Sequence, residues 1–308
     1  MMIADQATKL RRMAADVAES VAEAETVQKS ASPRVASPKR HSSARTIAVT
    51  SGKGGVGKSN ISLNLAISAA RLGHRVVVMD ADFGLANVDV LANVRSRYNL
   101  SHLINGSHGI MDILSEGPEG VRIIPGASGL AGLADMTETQ RDRLLAQMEQ
   151  IDTMADLLII DTAAGISRNV INFLSAADDV LVVATPEPTS IIDSYATVKV
   201  LSQEADYGYI HLALNMVSGR EEAEAVSAHF LRVANDFLKV SVNYAGYVER
   251  DEALESAVRS RVPLLVQHPN STASRNMAAL LRGLGVHKRS ERDGRDGFFR
   301  RFFSFLSK

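Results

Sequence analysis

Two lysines, Lys53 and Lys58, lie in the run Ser51-Gly52-Lys53-Gly54-Gly55-Val56-Gly57-Lys58-Ser59. Gly52, Gly54, Gly55 and Gly57 would let the backbone approach a polyphosphate and turn its amides inward, at the positive end of a following helix. Lys58 would neutralise the β and γ phosphates, and the Ser59 hydroxyl would reach Mg²⁺. A glycine-rich turn alone does not explain Lys58-Ser59. The expected nucleotide cradle is therefore Gly52, Gly54, Gly55, Val56, Gly57, Lys58, Ser59 and Asn60. An ordinary loop of this kind needs only the second lysine, so Lys53 calls for its own explanation.

Carboxylates follow at two places. Val76-Val77-Val78-Met79 runs into Asp80-Ala81-Asp82, and Leu157-Leu158-Ile159-Ile160 ends in Asp161. An acid at a strand end is commonly a helix cap. Two acids two residues apart beside a phosphate loop favour handling of water or Mg²⁺. Asp161 closes a segment of Walker B form, a buried strand that delivers a carboxylate toward a metal. Gly165, in Thr162-Ala163-Ala164-Gly165, would let that segment move when a γ-phosphate departs.

These groups meet only if strands carry them to one edge. The loop has an apolar run before it, Thr46 to Thr50, and helix-patterned apolar residues after it, the strand-turn-helix setting that phosphate binding requires. Further apolar runs are Arg75 to Asp80, Val121 to Pro125, Leu157 to Asp161, Asp179 to Thr185, His211 to Val217 and a short Ser241 to Ala245. Most do not alternate in polarity, which suits strands buried on both faces. The expected fold is α/β, a doubly wound and mostly parallel sheet flanked by helices, with ligands at the carboxyl ends of the strands.

The 308 residues, 45% of them hydrophobic, suffice for one such domain with tails. No apolar run reaches the length of a membrane span and no signal-peptide core is present, so a cytoplasmic location is expected. The chain has no cysteine, which excludes disulfides and thiolate-held clusters. A net charge of -1 argues against a surface that coats nucleic acid generally. The expected organisation is a helix at 1–28, a Ser/Pro-containing linker at 29–45, the α/β domain at 46–286, a hydrophilic linker at 287–296 and a final helix at 297–308. No internal repeat is visible.

Five of the nine phenylalanines fall in the final segment. At about 100° per residue, Phe298, Phe299, Phe302, Phe303, Phe305 and Leu306 share an arc of roughly 160°, with Arg300, Arg301, Ser304, Ser307 and Lys308 on the rest. Two readings stand: a helix lying in an anionic lipid interface, favoured because the segment hangs on a tether, or one docked in the protein's own groove. At the other end, residues 3–27 carry Leu10, Met13, Ala14, Val17 and Val21 on one face. That stripe suits a partner's groove, or marks a frayed terminal helix.

The loop with its extra lysine, Asp80-Ala81-Asp82 and Asp161 with Gly165 together resemble the deviant-Walker P-loop ATPases of the MinD/ParA class across 46–286. Within that class, Asp80 to Leu91 and Pro186-Glu187-Pro188-Thr189-Ser190 are similar to the FlhG/FleN family of flagellar-number regulators. Asp5-Gln6-Ala7 with Leu10-Arg11 resembles that family's N-terminal activator motif, and the C-terminus resembles its membrane-targeting helix.

The resemblance implies a slow ATPase using ATP and Mg²⁺. Lys53 would reach across an ATP-dependent homodimer to the partner's phosphates, with Asp82 orienting the attacking water and Lys58 neutralising charge. Ser59, Asp80 and Asp161 would lie at the metal, and Asn215 beside the base, although a turn role for Asn215 stays open. Asp5, Gln6, Ala7, Leu10 and Arg11 would contact the flagellar SRP-type GTPase FlhF. Phe298, Phe299, Phe302, Phe303, Phe305 and Leu306 would enter the inner face of the cell membrane. A flagellar transcription regulator or C-ring protein is a further implied partner.

Two departures stand out: Ser59 where threonine is common, which keeps the hydroxyl, and Thr162-Ala163-Ala164 in place of a proline-containing switch. Other readings on the same core are a DNA-partition ATPase, with Arg259, Arg261, Arg275 and Arg282 as a basic surface, a MinD-type division regulator, and a catalytically silent scaffold. The N-terminal extension argues against the division regulator. No Asn-Lys-x-Asp guanine signature appears.

Overall fold

Long apolar runs become strands sandwiched between helix layers. The structure, a computed structural model, describes residues 43–82, 87–126, 137–204, 207–287 and 297–306. The strands are β1 (Arg45–Thr50), β2 (Val76–Ala81), β3 (Ser115–Glu116), β4 (Arg122–Ile124), β5 (Leu157–Thr162), β6 (Asp179–Ala184), β7 (Tyr209–Val217) and β8 (Val242–Glu249). They form one sheet in the order β3-β4-β2-β5-β1-β6-β7-β8. All neighbours pair in parallel except β3 with β4.

The helices are α1 (Lys58–Arg71), α2 (Val88–Leu91), α3 (Leu100–Ile104), α4 (Ile110–Ile113), α5 (Glu138–Met154), α6 (Arg168–Ala176), α7 (Pro188–Ser202), α8 (Arg220–Val233), α9 (Glu252–Ser260), α10 (Leu264–Gln267), α11 (Thr272–Gly283) and α12 (Phe298–Leu306). Alternate strand residues feed two cores. Ala48, Leu158, Ile160, Val180 and Val182 pack with residues of α5, α6 and α12. Ile47, Val49, Leu157, Ile159, Leu181 and Val183 pack with α1 and α11. Both faces are covered, which is why these strands read as unbroken apolar runs.

The expected strands all form, six of them with ends shifted by no more than two residues. The short run at Ser241 becomes β8, which continues to Glu249 through Gly246 at φ 136° and a shift in pairing with β7. Its half-buried edge position removes the apolar density that would have marked its length. Two-residue β3 is too short to carry a periodic signal.

The C-terminal helix forms, and it is docked. Phe298 and Phe299 are 0% exposed, and Phe302 and Phe303 are buried with them against α5 and α6. The Phe302 ring stacks on Phe173 of α6 at 4.2 Å between centroids. Arg300 pairs with Glu149 at 2.9 Å and Arg301 with Asp178 at 2.8 Å. Phe305 is half-buried, while the Leu306 side chain lies outside the described residues. Of the two readings the pattern allowed, this structure contains the docked one. Each buried phenylalanine contributes about 1.5–3 kcal/mol of transfer free energy before the cost of ordering the tether. No described helix is long and apolar enough to cross a membrane. The motif residues Asp5, Gln6, Ala7, Leu10 and Arg11 lie outside the described residues.

Candidate active site

The phosphate loop joins the carboxyl end of β1 to α1, and its glycines answer to different neighbours. Gly57 holds φ 92°, and a Cβ there would lie 2.4 Å from Nδ2 of Asn215. A Cβ on Gly52 would lie 2.1 Å from the Asp193 carbonyl carbon of α7. Neither site admits a side chain. Gly54 and Gly55 face open space, where an anion could enter. Lys58 opens α1 and is largely buried at 8% exposure. The helix N-terminus and Lys58 thus present positive potential to the loop.

Asn215, at 1% exposure on β7, donates from Nδ2 to the Val56 carbonyl at 2.7 Å. This asparagine therefore pins the loop from behind. Its buried Oδ1 has no partner among the described residues, an acceptor that an exocyclic amine of adenine could satisfy. With Nδ2 taken by Val56, only Oδ1 is left for the base contact that the resemblance implies.

Asp80 and Asp161 are register partners on the parallel strands β2 and β5. Both are 1% exposed. Burial first, then the charge of Asp161, raises the Asp80 carboxyl to about 7. Burial likewise raises Asp161 to about 6, opposed by a hydrogen bond from Ser59, the charge of Lys58 and a bond from Ser62 at 2.9 Å. Asp80 also accepts from the backbone amides of Asn87 at 2.9 Å, Val88 at 3.1 Å and Asp82 at 3.0 Å. The capping reading left open for a strand-end acid thus holds for Asp80, at the entry to α2.

Half-buried Asp82 is close enough for its charge to act on Asp161. Asp80 and Asp82 thus each interact through charge with Asp161, on which Lys58 also acts. Negative charge of this kind suits a divalent cation, and Ser59, bonded to Asp161, would offer it a hydroxyl. No group of three or more metal-ligating His, Cys, Asp or Glu side chains occurs among the described residues. A site completed by water and phosphate oxygens, as Mg²⁺ prefers, agrees with that.

The segment after β5 is tied to the loop. The Gly165 amide, at φ 95°, donates to the Ser51 carbonyl at 2.9 Å. The Thr162 hydroxyl donates to the Val49 carbonyl at 3.0 Å. Lys53 folds back within its own chain to pair with Glu187, and it also donates to the Thr189 hydroxyl at 3.2 Å. Lys53 holds the Glu187 carboxyl below its usual range, chiefly through this hydrogen bond. Glu187 and Thr189 belong to the Pro186-to-Ser190 segment singled out in the sequence, but nothing there assigns them to Lys53.

The basic positions suggested for DNA are partly engaged: Arg259 pairs with Glu255 at 3.2 Å, and Arg275 bonds the Asn270 carbonyl at 2.6 Å.

A family model described as an AAA domain matches residues 44–204. The chain is 40% identical to the antiactivator FleN of Pseudomonas aeruginosa over 75% of its own length and 82% of that protein's. It is 36% identical to the flagellum site-determining protein YlxH of Helicobacter pylori over 84% of its own length and 90% of that protein's. The chain belongs to the FlhG/FleN family. Its fold matches the septum site-determining protein MinD from Pyrococcus horikoshii, solved with Mg-ADP, at a TM-score of 0.64 and 21% identity, covering 78% of this chain and 96% of that one. This family member is an ATPase of the MinD/ParA class, and the loop geometry fits nucleotide binding.

Proposed function

We propose that this chain is a slow ATPase switch that sets flagellar number or placement by coupling ATP-dependent dimerisation to membrane attachment. The observation that carries it is the pairing of a phosphate loop having a second lysine with an aromatic amphipathic helix folded against the same domain. The names of the relatives in Pseudomonas aeruginosa and Helicobacter pylori support the flagellar assignment.

The loop amides and Lys58 hold the β and γ phosphates. Asp82 orients the attacking water, and Lys53, once free of Glu187, reaches the phosphates of a second subunit. Mg²⁺, held by Ser59 with Asp161 and Asp80 beside it, would neutralise charge developing on the phosphates. Phosphoryl transfer depends on positioning and charge neutralisation more than on base strength, so turnover is slow. The γ-phosphate gives Lys53 a partner across the interface, which makes dimerisation conditional on ATP.

In the dimer, α12 leaves its groove, and the two helices bind anionic lipid together. Partner contact with the flagellar GTPase FlhF runs through Asp5, Gln6, Ala7, Leu10 and Arg11.

Sedimentation with anionic liposomes in ATP, ADP and no nucleotide tests the switch. Intact protein should pellet chiefly with ATP, and a Phe299→Glu/Phe302→Glu variant should stay in solution. Equal pelleting in all three states would overturn the coupling.

A further inference from the structure

The groove takes Phe299, Phe302 and Phe303 of α12 and pairs its Arg300 and Arg301, a pattern whose next apolar position in the sequence is Leu306. The chain carries that pattern once more. Leu10, Met13, Ala14 and Val17 have the same spacing, with Arg11 and Arg12 at the matching places. Wound as a helix, the second set would place its apolar stripe and two arginines at the same angles as the first.

The groove offers the complementary groups. Its apolar wall includes Leu144, Met148 and Phe173. Its acids are Glu149, which takes Arg300, and Asp178, which takes Arg301. Asp178 also accepts the Thr46 amide at 2.9 Å, so the chain that leads back to the N-terminal segment leaves the domain beside this acid. The residues between Val17 and Ser43 span up to about 3.3 Å each, ample to return along the groove.

We infer that the α5–α6 groove is a shared site, whose second occupant is the chain's own segment Leu10–Val17, admitted when α12 leaves. The N-terminal segment is the weaker ligand. Lys9 stands where Phe298 fills the groove, Asp16 stands at the place of Phe305, and Met13 and Ala14 replace two phenyl rings. The docked α12 therefore excludes it, and departure of α12 transfers the covered face from one end of the chain to the other. The exchange goes beyond the proposed membrane switch and does not require lipid.

The absence of native cysteine allows a direct test. In the full chain, thiols placed by Met13→Cys and Met148→Cys are challenged with a short bismaleimide. The cross-link should be scarce with α12 intact. It should rise several-fold when Phe299→Glu/Phe302→Glu expels α12, and fall back when Arg12→Glu is added. Expulsion by Arg300→Glu/Arg301→Glu, which leaves the apolar core unchanged, should give the same result if the first variant folds poorly. Failure of the cross-link to rise in folded protein overturns the proposal, whether the thiol introduced on α5 is freely labelled or stays shielded. A cross-link indifferent to Arg12→Glu overturns the shared charge pattern. Liposome binding is not read in this experiment, so its outcome is separate from that of the switch.

Discussion

Lys53 and Glu187 form an ion pair within one chain, joining the phosphate loop to the turn that begins α7. The lysine expected to serve another subunit is thereby held by its own.

Removing that hold should favour association. Exposed pairs of this kind are weak, so Glu187→Gln should lower the ATP concentration needed for half-dimerisation by only about two- to five-fold. Sedimentation velocity across an ATP titration measures it. A rise in the midpoint would mean that the carboxylate serves the dimer.

Close approach at Gly52 predicts a sharp contrast between two loop glycines. Gly52→Ala forces Cβ into the Asp193 backbone and should cost about 1–3 kcal/mol in denaturant unfolding, with loss of ATP binding. Gly54→Ala meets nothing within 4 Å and should unfold like the parent.

The buried acids predict a metal effect distinct from nucleotide affinity. Asp161→Asn should weaken Mg²⁺ dependence of turnover by about 10- to 100-fold. Binding of metal-free ATP should hold or improve, because a negative charge is removed. Calorimetric titration with and without chelator distinguishes the two; equal loss in both would make Asp161 a purely structural acid.

Asp152 predicts a pH response of the docked helix. Its carboxyl, 8% exposed, contacts Gly297 so closely that a Cβ there would lie 2.1 Å from Oδ2, and its Oδ1 has no hydrogen-bond partner among the described residues. Burial raises its pKa to about 7, against the pull of Arg301 and aided by Glu149 and Asp178. Release exposes the group and returns it toward its ordinary value of 3.8. A raised pKa in the docked state means that docking is strongest below about pH 4, weakens by up to about tenfold per unit as pH rises toward 7, and levels off above that. Anisotropy of a fluorophore on Ser304→Cys should fall from pH 5 to 8, and Asp152→Asn should flatten the curve. An unchanged slope in that variant would assign the response to another group.

Local chemistry was legible in the chain itself. Loop, strand-end acids and buried strands are each written in consecutive residues, because glycine spacing and unbroken apolar runs act over a few positions. Asp80 and Asp161 could be assigned to one edge for the same reason: parallel strands deliver their last residues to a common end. Tertiary structure alone decided which partners these groups have. Asn215 under the loop, Glu187 on Lys53 and Asp193 against Gly52 come from strands and helices distant in sequence, and no periodicity encodes those contacts.

The C-terminal end marks the same boundary. Its sequence determined an amphipathic helix with a basic edge, since that is a property of spacing along one element. Only the packed domain decided that α12 lies against Phe173, Glu149 and Asp178, because a phenylalanine face gains much the same free energy in lipid as in a groove and the choice depends on a surface elsewhere in the fold.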